Sequence, residues 1–376
     1  MKKLGLYIHI PFCVKKCNYC DFLSAPANKQ VQIAYMETLQ KEIEEKAIEY
    51  KEWIVDTVFI GGGTPTSVPY ETIVNTMETI KKEFALTKDC EITMECNPGT
   101  VTMEAMNAYA AAGINRISIG LQTADDGLLK TLGRIHTYEQ FLDSYNYARN
   151  AGIQNINVDI MSGLPSQTIE QYTDTLKKVA DLGVEHISAY SLIVEEGTPF
   201  YKLYEEEKLE LPDEDTEREM YYQTGTMLKQ YGFLRYEISN YAKNGFECKH
   251  NKRYWKRDNY LGIGLGAASF IENTRYKNTE WLDEYLIENK YLEKNEIQNL
   301  SKEECMEEFM FLGLRMTKGI SKTEFKETFG VLVEDVYGKV IEKLTSQGLI
   351  QTKDDFISLT DYGLDVSNSV WVEFLL

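Results

Sequence analysis

Between Arg116 and Gly163 the chain reads RISIGLQ (116–122), then helically spaced Phe141, Tyr145 and Ala148 with a glycine at 152, then NINVDIMSG (155–163). Two short β-rich runs joined by a helical stretch make a βαβ unit, whose strands lie parallel in one sheet. Ile117, Ile119 and Leu121 alternate with Ser118, Gly120 and Gln122, and Ile156, Val158 and Ile160 alternate with Asn155, Asn157 and Asp159. Successive strand residues face opposite sides, so both strands carry one apolar and one polar face. In a helix-covered parallel sheet the apolar face meets the helices.

The same unit recurs on either side. GLYIHIP (5–11), TVFIGGG (57–63), EITMECNP (91–98) and HISAYSL (186–192) are further strands, with helical spacing at Tyr35, Leu39 and Ile43. Gly113, Gly152 and Gly183 stand where helices end before strands. Six units before Leu192 predict an α/β fold built as an incomplete (β/α)6 barrel with extra strands; an open doubly wound sheet is the alternative. In the first strand Ile8 and Ile10 oppose Tyr7 and His9; in the third, Ile92 and Met94 oppose Thr93 and Glu95. A filled core would leave Glu95, Gln122 and Asp159 without partners. The polar faces therefore predict a lumen holding a polar ligand, against the alternative of a sheet with one solvated face.

The 376 residues carry 40 Lys and Arg against 59 Asp and Glu, a formal net charge of -19, and 43% hydrophobic residues. That hydrophobic share is a folded protein's. The charge argues against a nucleic-acid partner, which needs a basic surface. No run of about 18 apolar residues exists to span a membrane. Lys2-Lys3 followed by Leu4 to Phe12 imitates a signal peptide, but His9 and Pro11 break it and no cleavage site follows, so the segment is read as mature protein.

Three regions follow Leu192: an acidic stretch from Glu195 to Glu219, read as a solvated face; an aromatic- and glycine-rich stretch over 230–280 with further strands; and, from about Leu300, helices at Met306–Met316, Thr323–Phe329 and Val333–Gln347 before paired strands at Leu349–Lys353 and Phe356–Thr360. The last order is that of a winged helix. Its 14 acidic and 8 basic residues make DNA reading improbable, so it is expected to dock or cover. The expected divisions are a barrel over 1–230, a sheet extension over 231–295 and a C-terminal domain over 296–376.

Seven cysteines make a disulfide framework improbable and point to a reducing, cytoplasmic compartment. Cys13, Cys17 and Cys20 sit in the loop after the first strand, spaced C-x3-C-x2-C. Three thiolates there suit an iron–sulfur cube with one iron left open; structural zinc, which wants four closed ligands, is the alternative.

This spacing, with Tyr19 before the third cysteine, resembles the radical S-adenosylmethionine family. Tyr7 to Cys13 (YIHIPFC), Gly61 to Thr66 (GGGTPT) and Asp159 to Pro165 (DIMSGLP) resemble its branch containing the oxygen-independent coproporphyrinogen oxidases and the HemW haem chaperones, and the likeness runs through the C-terminal domain. The resemblance implies a radical SAM barrel with a 4Fe-4S cluster on Cys13, Cys17 and Cys20, and S-adenosylmethionine on its open iron. It implies Gly62, Gly63 and Thr64 at the methionine amino group, where side-chain-free residues let backbone approach a ligand closely; an ordinary Gly-rich turn is the alternative. It also implies S-adenosylmethionine contacts from Glu95, Gln122, Arg134 and Asp159, with Tyr7 and Tyr19 flanking the cluster and adenine. Arg134 lies outside the strand parity and could be a surface arginine.

Two departures favour the chaperones over the oxidases. Phe22 stands where the oxidases have a fourth cysteine, and Cys13 lies close to the start. His250-Asn251-Lys252-Arg253-Tyr254-Trp255 also fits the His-Asn-x-x-Tyr-Trp pattern associated with haem binding, implying His250 as a haem contact. Cys248 is a rival iron ligand, and Lys249, Lys252, Arg253, Lys256 and Arg257 form a basic island for haem propionates. A loop packed on the barrel with solvated charges is the alternative; Met306 and Met310 fit core packing better than ligation. The implied activity is haem binding and delivery to acceptor haemoproteins, membrane-bound respiratory enzymes included, with radical decarboxylation of coproporphyrinogen as the alternative. Membrane contact would then be peripheral, through partners. A homodimer is left open.

Overall fold

The computed structural model describes all 376 residues. Six parallel strands form its centre: β1 (Lys2–Ile10), β2 (Trp53–Gly62), β3 (Ala85–Cys96), β4 (Arg116–Gln122), β5 (Asn155–Ser162) and β6 (His186–Ser191). Helices α1 (Lys29–Glu49), α2 (Tyr70–Glu83), α3 (Met103–Ala111), α4 (Asp126–Thr131), α5 (Tyr138–Asn150) and α6 (Ile169–Asp181) connect them. Gly113, Gly152 and Gly183 end α3, α5 and α6 at positive φ, as helix-ending glycines do. Leu6, Ile8, Val58, Ile60, Met94, Ile117, Ile119, Val158 and Ile160 lie in the core with Tyr35, Leu39 and Ile43 of α1 and Leu176 and Val179 of α6. The apolar faces thus meet the helices, and the polar faces are left to the lumen.

The strands begin earlier than their alternation suggests. β1, β2 and β3 extend towards their N-termini, and register shifts at Leu4/Gly5 and Val55/Thr57 interrupt the pairing. A bulge inserts an unmatched residue and breaks the two-residue period, hiding these ends from a pattern reading.

After β6 come α7 (Pro199–Glu205) and α8 (Glu214–Gln230), which buries Met220, Thr224 and Leu228 under a solvated acidic start. Strands β7 (Leu234–Arg235) and β8 (Asn240–Ala242) extend the sheet antiparallel beyond β6. Helix α9 (Lys249–Trp255) precedes β9 (Tyr260–Ile263), which pairs parallel with β1. Strands β10 (Ala268–Ile271), β11 (Thr274–Lys277) and, after α10 (Leu282–Tyr285), β12 (Asn295–Asn299) complete the other edge. The result is one 12-stranded sheet ordered β12-β11-β10-β9-β1-β2-β3-β4-β5-β6-β8-β7, with ends that do not pair. It is an open barrel, with its extra strands on both edges.

A second core holds Met306, Met310, Phe325, Tyr337 and Leu344. It belongs to α11 (Lys302–Gly313), β13 (Ile320–Ser321), α12 (Lys322–Phe329), α13 (Val333–Ser346), β14 (Ile350–Lys353) and β15 (Phe356–Leu359), in winged-helix order with β13 and β14 flanking β15. Two short helices, α14 (Asp361–Asp365) and α15 (Ser367–Trp371), follow. The backbone bridge between Glu237 and Met316 ties this unit to the barrel edge. No helix is long and apolar enough to cross a membrane.

Candidate functional site

The loop after β1 is fastened to the glycine run after β2. Gly63 N–H donates to the Ile10 carbonyl (2.8 Å) and Thr64 N–H to that of Phe12 (2.6 Å). A Cβ on Gly63 would lie 2.5 Å from the Phe12 oxygen, and one on Gly62, at φ +110°, would lie 2.4 Å from the His9 ring. Here the glycines are required by the chain's own close approach: any side chain would push the cysteine loop away. His9 Nε2 donates to the Leu23 carbonyl (2.9 Å), so its Nδ1 accepts from Tyr7 OH (2.9 Å). Burial pushes the His9 pKa down, keeping this tautomer neutral.

Cys13, Cys17 and Cys20 line one cavity of about 320 Å³ at the C-terminal ends of the strands, together with Tyr19, Gly62, Gly63, Thr64, Glu95, Gln122, Arg134 and Asp159. Burial pushes the Cys13 and Cys20 thiols up. No three His, Cys, Asp or Glu side chains stand close enough to share a single metal ion. Three separate thiols around an open space suit a sulfide-bridged cluster better than one zinc ion.

Arg134 reaches this cavity from the turn after α4. It donates to Cys17 Sγ (3.7 Å), Asn97 Oδ1 (2.8 Å) and the Gly120 carbonyl. Glu95 accepts from Gly62 N–H (2.9 Å); burial and then Asp159 push its pKa up to about 7, against that hydrogen bond. Burial also raises Asp159, opposed by hydrogen bonds from Asn157 and Ser188 and by the Arg116 and Arg134 charges. Gln122 sits at φ +73° where the register shifts, and its Oε1 accepts from Tyr190 OH (3.0 Å). Two acids and one guanidinium thus line the same cavity, a set that suits an amine and a carboxylate.

Tyr7 lies outside this cavity, bonded to His9 and tilted against Phe59 with ring centroids 6.3 Å apart. His250 also lies outside it. The expected haem loop is helix α9, seated at the opposite, N-terminal end of the barrel. Its first turn is held by Glu91, whose carboxylate accepts from the N–H groups of Lys249 (3.1 Å) and His250 (3.0 Å) and from Cys248 Sγ (3.6 Å). A carboxylate at a helix N-terminus is stabilising. The buried His250 ring is bonded to Thr57 Oγ1 (2.9 Å) and Tyr254 OH (2.8 Å), and burial pushes its pKa down to about 3. Both ring nitrogens are therefore engaged. Of the basic island, Arg253 pairs with Asp56, Arg257 with Glu308 (3.0 Å), Lys249 with Asp89 (3.4 Å) and Lys252 with Glu247 (3.6 Å). Most of it serves this chain's own acids, from elements distant in sequence.

Pattern reading missed Asn97, Ser188, Tyr190 and Asn251, which also line the cavity. Ser188 and Tyr190 share the face of His186 in β6, so parity held the signal. Asn251 needed the position of α9, which extends the cavity lining to the barrel floor.

Residues 7–179 match the Radical SAM superfamily and residues 300–366 the HemN C-terminal domain. The chain is 38% identical over 372 residues to the heme chaperone HemW of Bacillus subtilis, covering 98% of both chains. It belongs to the HemW family. The Escherichia coli heme chaperone HemW is 33% identical over 99% of this chain and 98% of its own length. The fold is that of coproporphyrinogen III oxidase (HemN) from Escherichia coli, with TM-score 0.87 at 24% identity over 100% of this chain and 90% of that one.

Membership of the radical SAM superfamily implies a 4Fe-4S cluster and S-adenosylmethionine, and the HemW-family cavity fits both. It is lined by the three loop thiols, two acids and a guanidinium. Asp159→Ala and Gln122→Ala are expected to weaken S-adenosylmethionine binding about 10-fold or more, the cost of a lost charged or buried hydrogen bond, while leaving iron and sulfide content unchanged. Calorimetry on reconstituted protein checks this; unchanged affinity in both would refute the lumen assignment.

Proposed function

We propose that this chain is a haem carrier: it binds haem, holds an S-adenosylmethionine-binding 4Fe-4S cluster, and hands haem to acceptor haemoproteins such as respiratory enzymes. The observation that carries the reading is the end-to-end match to heme chaperones HemW. Phe22, at the position of the oxidases' fourth cysteine, supports it.

In this reading Cys13, Cys17 and Cys20 hold three irons. Gly62, Gly63 and Thr64 present backbone to the methionine amine, Arg134 takes the carboxylate, and Glu95, Gln122 and Asp159 take the remaining polar groups. Tyr19 covers the cluster side, and Tyr7 acts at one remove by orienting His9. The cluster, when bound, supplies one-electron chemistry to S-adenosylmethionine. His250 remains the proposed haem contact. The ring is fully buried and its Nδ1 is bonded to Thr57 of β2, so ligation of haem iron calls for α9 to leave its seat, and haem uptake is coupled to opening of the barrel floor. Acceptors at a membrane would be met peripherally.

Reconstituted protein, coproporphyrinogen, a reductant and S-adenosylmethionine, incubated anaerobically, distinguish a carrier from an oxidase. The tetrapyrrole is expected to be recovered unchanged. Catalytic conversion to protoporphyrinogen would overturn the carrier reading.

A further inference from the structure

A second chamber, of about 300 Å³, opens beside the lumen between β6, α8, β8 and the C-terminal helix α15. Tyr190 and Ser239 line both it and the main cavity. Its walls mix aromatic residues, among them Tyr172, Tyr221, Tyr241 and Trp371, with small polar ones. One cation, Arg315, stands among them. Its guanidinium carbon lies 5.1 Å from the Trp371 ring centroid and 4.2 Å from that of Trp255, the last residue of α9.

Arg315 has no acid bound to it. Glu237, whose charge it feels, gives its carboxylate instead to Ser239 N–H (3.0 Å) and the Asn240 side-chain amide. Nearby Arg235 is spent on the Ile238 carbonyl and on stacking against Tyr221. Arg315 Nε, Tyr221 OH and Trp371 Nε1 are buried without a hydrogen-bond partner. All three residues line the chamber, and buried donors without an acceptor are costly unless one is brought to them. A guanidinium close to two indoles and without a carboxylate of its own suits a planar acceptor, for which a carboxylate is the natural match. The aromatic walls suit a flat apolar ring.

We propose that this chamber binds the carboxylate-bearing edge of a planar macrocycle, with Arg315 as the carboxylate anchor and Tyr221 and Trp371 as supporting donors. The inference rests on the carrier reading, since the macrocycle would be the porphyrin that is carried. The chamber has room for one edge of such a ring, leaving its centre accessible. Contact between Arg315 and Trp255 joins the anchor to the segment proposed to meet haem.

The test is fluorescence titration of the full chain with protoporphyrin IX and with its dimethyl ester, which has the same ring without ionised acids. Wild type is expected to bind the acid about 10–100-fold more tightly than the ester, the range open to a charge-assisted hydrogen bond. Arg315→Met is expected to lose that preference and bind both like the ester, and Arg315→Lys to recover part of it. Equal wild-type affinity for acid and ester would overturn the chamber while leaving the carrier reading intact. So would an unchanged preference in folded Arg315→Met. Failure of wild type to bind either porphyrin would also overturn the chamber, while the carrier reading, in which the iron of haem is ligated, is tested with haem itself. The ester comparison needs no variant, so misfolding of Arg315→Met leaves the test decisive.

Discussion

Replacing Cys13, Cys17 and Cys20 together by Ala is expected to abolish the iron–sulfur cluster, while a variant lacking Cys90, Cys96, Cys248 and Cys305 keeps it. The first three stand together on the loop after β1 and line the cavity. Cys90, Cys248 and Cys305 do not line it, and Cys96, which does, is the last residue of β3 and not part of that loop. Anaerobic iron and sulfide analysis, with circular dichroism as the control for folding, checks both variants. Loss of the cluster in the folded second variant would mean that the ligand set is wrong.

His250→Ala is expected to shift or abolish the absorption spectrum of bound haem and leave S-adenosylmethionine affinity intact, because its ring lies outside the cofactor cavity. It should also lower stability by about 2–4 kcal/mol, since two buried hydrogen bonds and a packed ring are lost. Glu91→Gln acts in the opposite direction on haem uptake. It replaces the carboxylate that holds the first turn of α9 with a neutral amide, weakening that hold by about 1–3 kcal/mol. If opening of α9 limits uptake, haem should then bind faster, by about 5-fold or more in stopped-flow absorbance. An unaltered haem spectrum in both His250→Ala and Cys248→Ala would place the iron ligand elsewhere. An unchanged rate in Glu91→Gln would mean that α9 need not move.

What could be read from sequence was what local geometry controls. Strand parity placed Glu95, Gln122 and Asp159 on inward faces before any partner was known, because a two-residue period is fixed by the backbone itself. The C-terminal helices and paired strands were legible for the same reason. What stayed hidden depends on contacts between distant residues. Asp56 and Asp89 approach the basic island only when the barrel forms, and Glu308 only when the C-terminal unit packs against it, so its charges looked free. Local composition gave residues 248–257 the character of a loop; the helix there is seated by Glu91, from β3. Arg134 broke parity because a turn delivers it. The bulges in β1 and β2 erased the alternation that would have marked their true starts.

The carrier claim is tested most directly by loading haem onto the reconstituted protein, removing excess by gel filtration, and adding an apo-haemoprotein whose absorption spectrum differs from that of the carrier. Haem is expected to remain with the protein through filtration and then to pass to the acceptor, with the Cys13, Cys17, Cys20 triple variant still loading but transferring poorly. Haem that separates from the wild-type chain on filtration, or that never reaches the acceptor, would contradict the account.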